Sequence, residues 1–438
     1  MLRSMFAGVS GLRSHQVMMD VVGNNIANVN TVGYKSSGAI FSDVLSQTVR
    51  GAGLGSLGTS GGSNPSQIGL GVRLQAIQMS FSQGATQLTG RSTDFAIQGD
   101  GLFVVDVAGS QAFARAGSFS LDSLGQLTTP EGGLVQGWGA IGGLVNTNAS
   151  ISSLRIPVGQ TIPADTTNVV NIGGNLPSNA DDGSGVPPAA VISSSINVYN
   201  SLGTAIPLRI DYTKVPNTAG NVDWEVSAFD PDGNQIAGPL TLQFGQAPPS
   251  SGEIVTPSNR VLNLSAAQLA TIQVGGSTPA GGFDTGGVDL NFGTATGADR
   301  LTGASGTSSV SALSQDGAPI GTLVSFGVSQ EGLISGVFNN GKNQQLGQIA
   351  MANFANPGGL EKTGGSLYRA TVNSGNAQIG TAGSGGRGTL SGGTVEMSNV
   401  DLAAEFTNLI VAQRGFQANS RIITASDEIL QDLVNMKR

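Results

Sequence analysis

The sequence contains no cysteine and only one histidine, His15, among its 438 residues. Without thiols the chain can form no disulfide, no Cys-ligated zinc site and no iron–sulfur cluster, and thiol catalysis is excluded as well. A single imidazole also excludes a metal site built from several histidines and argues against a Ser-His-Asp triad. Such a chain has to draw its stability from packing or from assembly.

Aromatic and charged side chains are scarce, at 5% and 11% of the chain, whereas 67 residues are glycine. This composition is poor material for a large aromatic core and is typical of many short strands joined by tight turns. The net charge is −8, and lysine and arginine form no cluster. Neither nucleic acid nor an anionic membrane is therefore expected as a partner.

Long apolar runs are missing too. No stretch of about 18 apolar residues occurs, so the sequence predicts no membrane-spanning helix. The first residues, from Met1 to Phe6, lack the apolar region and the small-residue cleavage site of a secretory signal. We therefore expect either a cytoplasmic protein or one that is exported without a cleaved signal.

Both ends of the chain carry helical patterns with a seven-residue rhythm. In the N-terminal segment, from about residue 4 to 30, one apolar seam contains Met5, Val9, Leu12, Met19 and Ile26. From about residue 398, the repeat and its companion positions contain Leu402, Phe406, Leu409, Phe416, Ile423, Leu430 and Val434. Because a strict heptad prefers another helix as its partner, the two terminal helices are predicted to pair in a coiled-coil-like domain.

The companion positions of these seams are weak. Gln413, Ser420 and Asp427 stand where a strong two-stranded coiled coil would have aliphatic residues, and Gln16 and Gly23 interrupt the N-terminal seam. An isolated pair of such helices would be marginally stable. We therefore hypothesise that the terminal helices are poorly ordered in the monomer and are completed by packing between subunits. A self-assembling structural protein is the expected function.

Between the helices, short apolar runs broken by glycine and aspartate predict β-structure. Segments 118–127 and 325–334 share one skeleton, in which Gly125 and Gly332 occupy the same place. A glycine at that place suits a turn with positive φ. The two segments indicate hairpins of one β-domain that is interrupted by an insertion, with chance similarity as the alternative.

The predicted fold is mainly β with terminal α-helices, and it has two antiparallel β-domains, the outer one inserted in the inner one. Ser398 or Asn399 is predicted to cap the C-terminal helix. The predicted divisions are a terminal helical domain (1–30 with 396–438), linker segments (31–70 with 383–395), an inner β-domain (71–168 with 319–382) and an outer β-domain (169–318).

The sequence contains motifs that resemble cofactor-binding and metal-binding sites, but the residues around them do not support those functions. Gly53-x-Gly55-x-x-Gly58 matches a dinucleotide fingerprint, but no strand precedes it and no helix follows it. Asp230 and Asp232 hint at a calcium loop, but the spacing of the following residues favours a hairpin turn. We therefore expect no catalytic residue, no cofactor and no metal site, and a protein that is not an enzyme.

Residues 20–35 resemble the N-terminal signature shared by flagellar rod and hook proteins. The matching residues are Asn24, Asn25, Ala27, Asn28, Thr31, Gly33, Tyr34 and Lys35. Segment 93–103 resembles the next block of that family, and segment 398–420 resembles its C-terminal block. Three blocks in the same order, at both ends of the chain, identify it as a member of this family.

The resemblance favours a hook protein over a rod protein, because the distal rod protein is shorter and segment 169–318 is extra. It implies a subunit that polymerises into a flexible tube between rod and filament, with the terminal helices lining the channel. It also implies an extracellular location at the flagellar hook, reached without a cleaved signal. The implied partners are further copies of the chain, the rod and hook–filament junction proteins, the hook cap and the flagellar type III export apparatus.

Two alternatives stay open at this point. A distal rod or hook–filament junction subunit would share the helical ends. More remotely, an unrelated secreted β-rich adhesin or enzyme would require the terminal heptads to be incidental.

Overall fold

The structure, a computed structural model, describes residues 2–54, 61–159, 161–185, 188–218, 220–246, 248, 251–293 and 300–436. Gly55 and Gly58 of the dinucleotide-like motif lie outside the described residues. The chain divides into two compact units. The first unit comprises Met1–Val158, Phe326–Gly336 and Gln344–Arg438, and the second comprises Gly159–Ser325 and Val337–Asn343. The predicted domain boundaries stay predictions.

Within the described residues the helices are α1 Leu2–Ala27, α2 Ala266–Leu269 and α3 Leu402–Asn435, and Pro357–Gly359 forms a 3-10 turn. The strands before the second unit are β1 Ser37–Asp43, β2 Ser46–Arg50, β3 Ser66–Gly69, β4 Val72–Met79, β5 Thr86–Leu88, β6 Phe95–Gln98, β7 Leu102–Val107, β8 Ser110–Ala114, β9 Ser120–Leu121, β10 Leu127–Thr128, β11 Leu134–Ile141, β12 Leu144–Val145 and β13 Ser152–Ser153. The strands up to residue 315 are β14 Thr161–Ile162, β15 Val169–Asn175, β16 Val191–Tyr199, β17 Ala205–Lys214, β18 Val222–Phe229, β19 Gln235–Phe244, β20 Ile254–Thr256, β21 Val261–Leu264, β22 Val288–Asn291, β23 Leu301–Thr302 and β24 Ser311–Gln315. The remaining strands are β25 Gly321–Val328, β26 Leu333–Phe338, β27 Asn343–Ile349, β28 Met351–Asn353, β29 Glu361–Gly364, β30 Leu367–Arg369, β31 Gln378–Gly380, β32 Thr389–Gly392 and β33 Thr394–Glu396.

The fold class predicted from the sequence is confirmed, since α1 and α3 contact each other and strands occupy the segment between them. None of the helices in the described part of the chain combines the length and the hydrophobicity that a membrane crossing needs.

The sheet of the first unit is centred on β7, which pairs antiparallel with β8, β11 and β28. Leu102, Phe103, Val104 and Val105 of β7 are all buried. A strand whose alternating side chains are buried in both directions is covered on both faces. One of these faces packs into a core that contains Leu102, Val104, Phe113, Trp138, Ala350, Ala352, Phe354, Leu360 and Tyr368.

The second unit holds a five-stranded sheet in the order β16-β17-β18-β19-β20, in which every pair is antiparallel. The alternation of Ile206, Leu208 and Ile210 toward the core follows the two-residue period of a half-buried strand. The hairpin turn predicted at Asp230 and Asp232 joins β18 to β19 in this sheet, and a second hairpin, with Gly203 in its turn, joins β16 to β17.

The prediction of a purely antiparallel outer domain is wrong for a second sheet of this unit, ordered β21-β22-β15-β23 with β24 beside β15. There β15 runs parallel to β22 and to β23. More than a hundred residues separate β15 from β22 in sequence, and a connection of that length permits the crossover that parallel pairing needs.

Two turn predictions can be compared directly with the backbone. Gly125 and Gly332 have φ values of +77° and +80°, as their place in the shared hairpin skeleton predicted. The carboxylate of Asp230 accepts hydrogen bonds from the backbone N–H groups of Asn234 and Gln273. Because backbone donors occupy this carboxylate in the loop between β18 and β19, the hairpin-turn interpretation fits it better than a calcium loop.

Residues 46–66 lie in the predicted linker segment 31–70, and their low-complexity composition is typical of a loop or flexible linker, but that prediction is wrong for part of the segment. β2 pairs with β3, and β1 pairs with β4, so a two-stranded antiparallel ribbon runs from Ser37 to Met79. The glycines are concentrated between β2 and β3, whereas the flanking segments contain enough β-branched and aliphatic residues to form strands.

Candidate assembly surface and the joint at its base

Helices α1 and α3 lie side by side and run antiparallel. Near the start of α1, Gly8 lies against Ile423, since a Cβ atom added to the glycine would be 3.4 Å from the Cγ1 atom of the isoleucine. Near the end of α1, the Nδ2 atom of Asn25 donates to the Oε1 atom of Glu405 at 3.0 Å. At 1.5 Å per residue α1 is about 39 Å long and α3 about 51 Å long, so α3 continues beyond its partner.

Small residues make the closest contacts between the two helices. A Cβ atom added to Gly415 would lie 2.4 Å from the Nε2 atom of His15, and one added to Gly11 would lie 2.7 Å from the Nδ2 atom of Asn419. Ala412, about one turn before Gly415 on α3, is fully buried. The helices therefore approach more closely than a seam of large side chains would allow, because each glycine leaves room for a side chain of the other helix, the imidazole of His15 or the amide of Asn419. The sequence interpretation missed these residues, although two glycines one turn apart in α1 are a usable signal.

The predicted seam residues border this contact. On α1, Met5, Leu12, Met19 and Ile26 are half-buried and Val9 is exposed, and on α3, Leu409, Ile423 and Leu430 are half-buried whereas Leu402, Phe406 and Phe416 are exposed. The side chain of Val434 lies outside the described residues. Their roles in assembly stay predictions.

Helix α3 exposes two separate rows of large apolar side chains. The first row consists of Leu402, Phe406 and Ile410, at four-residue spacing, and these side chains are 40%, 50% and 58% exposed. The second row consists of Ile422, Ile429 and Met436, at seven-residue spacing, and these are 45%, 54% and 87% exposed. At 100° per residue the two rows lie roughly 140° apart around the helix. Rows of this size without a covering partner mark an interaction surface.

The ribbon adds further exposed apolar side chains. Leu45, which connects β1 to β2, is 70% exposed, and Val49 on β2 and Ile68 on β3 are 63% and 49% exposed. A two-stranded ribbon is marginally stable by itself in water, so a partner that covers these side chains would stabilise it.

Below the helices, a buried ionic cluster joins three segments that are far apart in sequence. The Nζ atom of Lys35 lies 2.8 Å from the Oε1 atom of Glu396, and the Nε atom of Arg115 lies 2.5 Å from its Oε2 atom. The three residues are 1%, 0% and 3% exposed. Lys35 is the last residue of the N-terminal signature, Glu396 ends β33 six residues before the first residue of α3, and Arg115 follows β8 of the central sheet.

Backbone groups complete the coordination of this cluster. The guanidinium of Arg115 donates to the carbonyl oxygens of Ile97, Gly99 and Gly101. The ammonium of Lys35 donates to the carbonyl oxygen of Ser82 at 2.7 Å. Burial lowers the pKa of Lys35, the neighbouring Arg115 lowers it further, and the hydrogen bond to Glu396 opposes both effects. Two cations and one anion thus share an interior site whose cost is offset by many hydrogen bonds.

Asn25 holds the end of α1 to the start of α3. Its side chain is 1% exposed. The Oδ1 atom accepts from the Tyr34 hydroxyl and the Ser37 backbone N–H, while Nδ2 donates to the Ser37 carbonyl and to Glu405. Burial raises the pKa of Tyr34, and the nearby carboxylate of Glu405 raises it further. The phenol therefore stays neutral and keeps its role as a donor.

Gly33 has a backbone reason to be glycine. Its φ is +69°, and an added Cβ atom would lie 2.4 Å from the backbone nitrogen of Ala116. Its N–H donates to the carbonyl oxygen of Glu396 at 2.7 Å. A side chain here would force the N-terminal segment away from Arg115 and Ala116, the residues that follow β8.

The other signature residues shape the turn that ends α1. Asn28 donates from its side chain to the carbonyl and the side chain of Asn24, and Thr31 donates to the Asn28 side chain. Ala27 is the last residue of α1 and is exposed.

The predicted cap of α3 is wrong, because Asp401 accepts from the backbone N–H groups of Ala403 and Ala404. Asn399 has a different role. Its Oδ1 atom accepts from the Ser36 backbone N–H, and its Nδ2 atom donates to Ser80 and Ser82. These contacts tie the C-terminal segment to both strands of the ribbon's base.

We expect Asn25→Ala to lower the free energy of unfolding of the first unit by about 3 kcal/mol, since it leaves Tyr34, Ser37 and Glu405 without buried partners. Urea unfolding of the full chain measures this value. Asn24→Ala is the matched control, because Asn24 is exposed, and about 0.5 kcal/mol or less is expected there. Equal losses in the two variants would contradict the role given to Asn25.

Four family profiles match the chain in order. They are described as "Flagella basal body rod protein" (residues 5–35), "Flagellar hook protein FlgE/F/G D1 domain" (96–175), "Flagellar basal body protein FlaE D2 domain" (177–318) and "Flagellar basal body rod FlgEFG protein C-terminal" (391–436). The first of these ends at Lys35, the second includes Arg115 and the last includes Glu396, so all three residues of the ionic cluster fall within matched segments.

Curated relatives match over essentially the whole chain. The chain is 37% identical to the flagellar hook protein FlgE of Treponema pallidum, with 100% of each chain covered. It is 34% identical to the flagellar hook protein FlgE of Escherichia coli, with 98% of each covered. It is 32% identical to the flagellar basal-body rod protein FlgG of Bacillus subtilis, with 100% of each covered.

Proposed function

Because the chain belongs to the flagellar hook protein family, we propose that it is a structural subunit of the bacterial flagellar hook that assembles with further copies of itself. The observation that carries this proposal is the pair of apolar rows on α3, which remain exposed after α1 has packed against the helix. The described residues contain no group of three or more histidines and carboxylates that could hold a metal. The proposed role is therefore mechanical.

The two rows explain how one chain can build a tube. They face different directions around α3, so each can contact a different neighbouring copy. Contacts between unlike surfaces repeat without closing whenever the rotation between copies does not complete a ring, and a helical assembly results. Neighbours that cover the rows would also stabilise helices that are marginal as an isolated pair.

Finer parts of the function belong to the same proposal. We infer that the α1–α3 helix pair lines the channel and that the chain leaves the cell through the flagellar type III apparatus. The rod, the hook–filament junction proteins and the hook cap are its proposed contacts at the two ends of the tube. The family resemblance supports these assignments.

Polymerisation of purified chain tests the proposal. The double variant Phe406→Gln/Ile410→Gln removes two exposed apolar anchors without touching the contact with α1. Burial of each anchor contributes roughly 1.5–3 kcal/mol, so the critical concentration should rise at least about tenfold. Sedimentation and negative-stain electron microscopy measure it.

The control for this experiment is Val372→Gln, which makes the same kind of change at a fully exposed position outside the helices. It should polymerise as the unchanged chain does. Normal tube formation by the α3 variant would overturn the assignment of its first row to assembly.

A rod subunit is the second candidate, favoured by the similarity to the B. subtilis rod protein. The match of residues 177–318 to the FlaE D2 profile supports the hook assignment instead. Immunogold labelling of isolated hook–basal bodies separates the two, since a hook subunit is labelled outside the outermost ring and a rod subunit inside it.

A further inference from the structure

The Lys35–Glu396–Arg115 cluster is unusual in both its composition and its position. It brings together residues 281 and 361 positions apart in sequence, and it is closed off from solvent. A buried ion cluster is rarely more stable than apolar residues of the same volume, whereas loss of one partner is strongly destabilising. Such a cluster therefore serves better to select one arrangement of segments than to increase stability.

The signs of the three charges determine which arrangement of the segments is selected. Lys35 comes from the N-terminal segment and Arg115 from the central sheet, and both cations converge on one carboxylate. Until Glu396 is in place, docking the N-terminal segment on the sheet would bury two like charges with no anion between them. Docking therefore becomes favourable only once β33 has paired with β5 and placed Glu396 between the two cations.

Backbone hydrogen bonds around Glu396 also require the C-terminal segment to be in place. The Oε1 atom of Glu396 also accepts from the Gly84 backbone N–H at 2.8 Å, and the Glu396 carbonyl accepts from Gly33. Three residues after Glu396, Asn399 bonds the base of the ribbon. The short segment 396–399, which precedes α3, thus contacts the residues that follow α1, the base of the ribbon and the central sheet.

We propose that this cluster is a lock that couples the ordering of the α1–α3 helix pair to the folding of the central sheet. The lock closes only when the C-terminal segment has docked and Glu396 is in place. The inference deepens the proposed function, on which it rests: it makes the assembly surface of α1 and α3 available only in a completely folded chain. A chain whose C-terminal segment is still missing would keep its N-terminal helix undocked.

Hydrogen exchange of the monomeric full chain tests the lock without requiring polymerisation. In Glu396→Gln the two cations lose their counter-charge, so amide protection in residues 25–37 and 395–405 should fall by about 100-fold or more. Protection in the second unit should stay unchanged. Because self-assembly is not measured here, failure of the lock and failure of the hook assignment are distinguishable.

The double variant Lys35→Met/Glu396→Gln gives the sharper result. Removing one unpaired cation from the Glu396→Gln background should restore protection at least about tenfold, so that the second substitution partly repairs the first. If Glu396→Gln alone fails to fold, recovery of the fold in the double variant supports the lock equally well. Glu361→Gln is the control, since its ion pair with Arg369 is exposed, and it should change nothing.

Two results would overturn the proposal. One is unchanged protection around both termini in Glu396→Gln. The other is a double variant that is less protected than Glu396→Gln, since that would mean Lys35 contributes ordinary packing rather than an unpaired charge.

Discussion

A chain that lacks residues 402–438 remains soluble and forms no tubes at any concentration at which the full chain polymerises. Truncation removes α3, and with it both exposed apolar rows and the partner of α1. The remaining N-terminal helix keeps its own half-buried seam, but it has lost the helix that held it. The expected effect is complete loss of assembly, which electron microscopy and sedimentation measure directly.

The same truncation should leave the second unit folded, because its core lies within its own sheets. Trp224 is fully buried there, so in a Trp138→Phe background its near-ultraviolet circular dichroism reports native packing of this unit. A truncated chain that retains this signal and fails to polymerise supports assembly through the helices. Tubes formed by the truncated chain would show that other surfaces are sufficient, and a lost Trp224 signal would show that α3 is needed for folding well beyond the assembly surface.

Local patterns in the sequence predicted the helices and several turns. The heptad from Leu402 onward predicted a long C-terminal helix, because a periodic apolar pattern is encoded over consecutive residues. Its weak companion positions also predicted an incomplete pair, and exposed side chains such as Phe406 and Ile410 agree with that reading. Gly125 could be predicted for the same reason, since a turn with positive φ is a property of one residue.

The ionic cluster could not be predicted in this way. Lys35, Arg115 and Glu396 lie in three separate segments. No local sequence pattern around any one of them predicts its pairing with the other two. The resemblance to a family signature pointed to Lys35 but gave no physical reason for it. That reason is the geometry of the folded chain, in which Glu396 compensates two buried cations.

Glycines were the least predictable residues of the α1–α3 helix pair. In a heptad they read as interruptions, and Gly23 fits that reading, since it is exposed and an added Cβ atom would meet nothing within 4 Å. Gly11 and Gly415 have the same local pattern but lie at the closest approach of the helices. Only the register of α1 against α3, which is a tertiary property, separates the two kinds of glycine.

This difference gives the second large effect. Gly415→Leu should abolish polymerisation, because the new side chain would collide with His15 at a point where even a Cβ atom lies 2.4 Å from the imidazole. Overpacking of this kind costs about 1–3 kcal/mol when the imidazole has no room to turn away, and it would shift both apolar rows from their positions. Gly23→Ala on α1 is the matched control, for which a gain in helix stability of about 0.5–1 kcal/mol and normal tubes are expected. Sedimentation of the two variants side by side decides the point: normal tubes from Gly415→Leu would mean that the close contact between α1 and α3 is not needed in the assembled state, and the two helices would then have to be held by neighbouring copies alone.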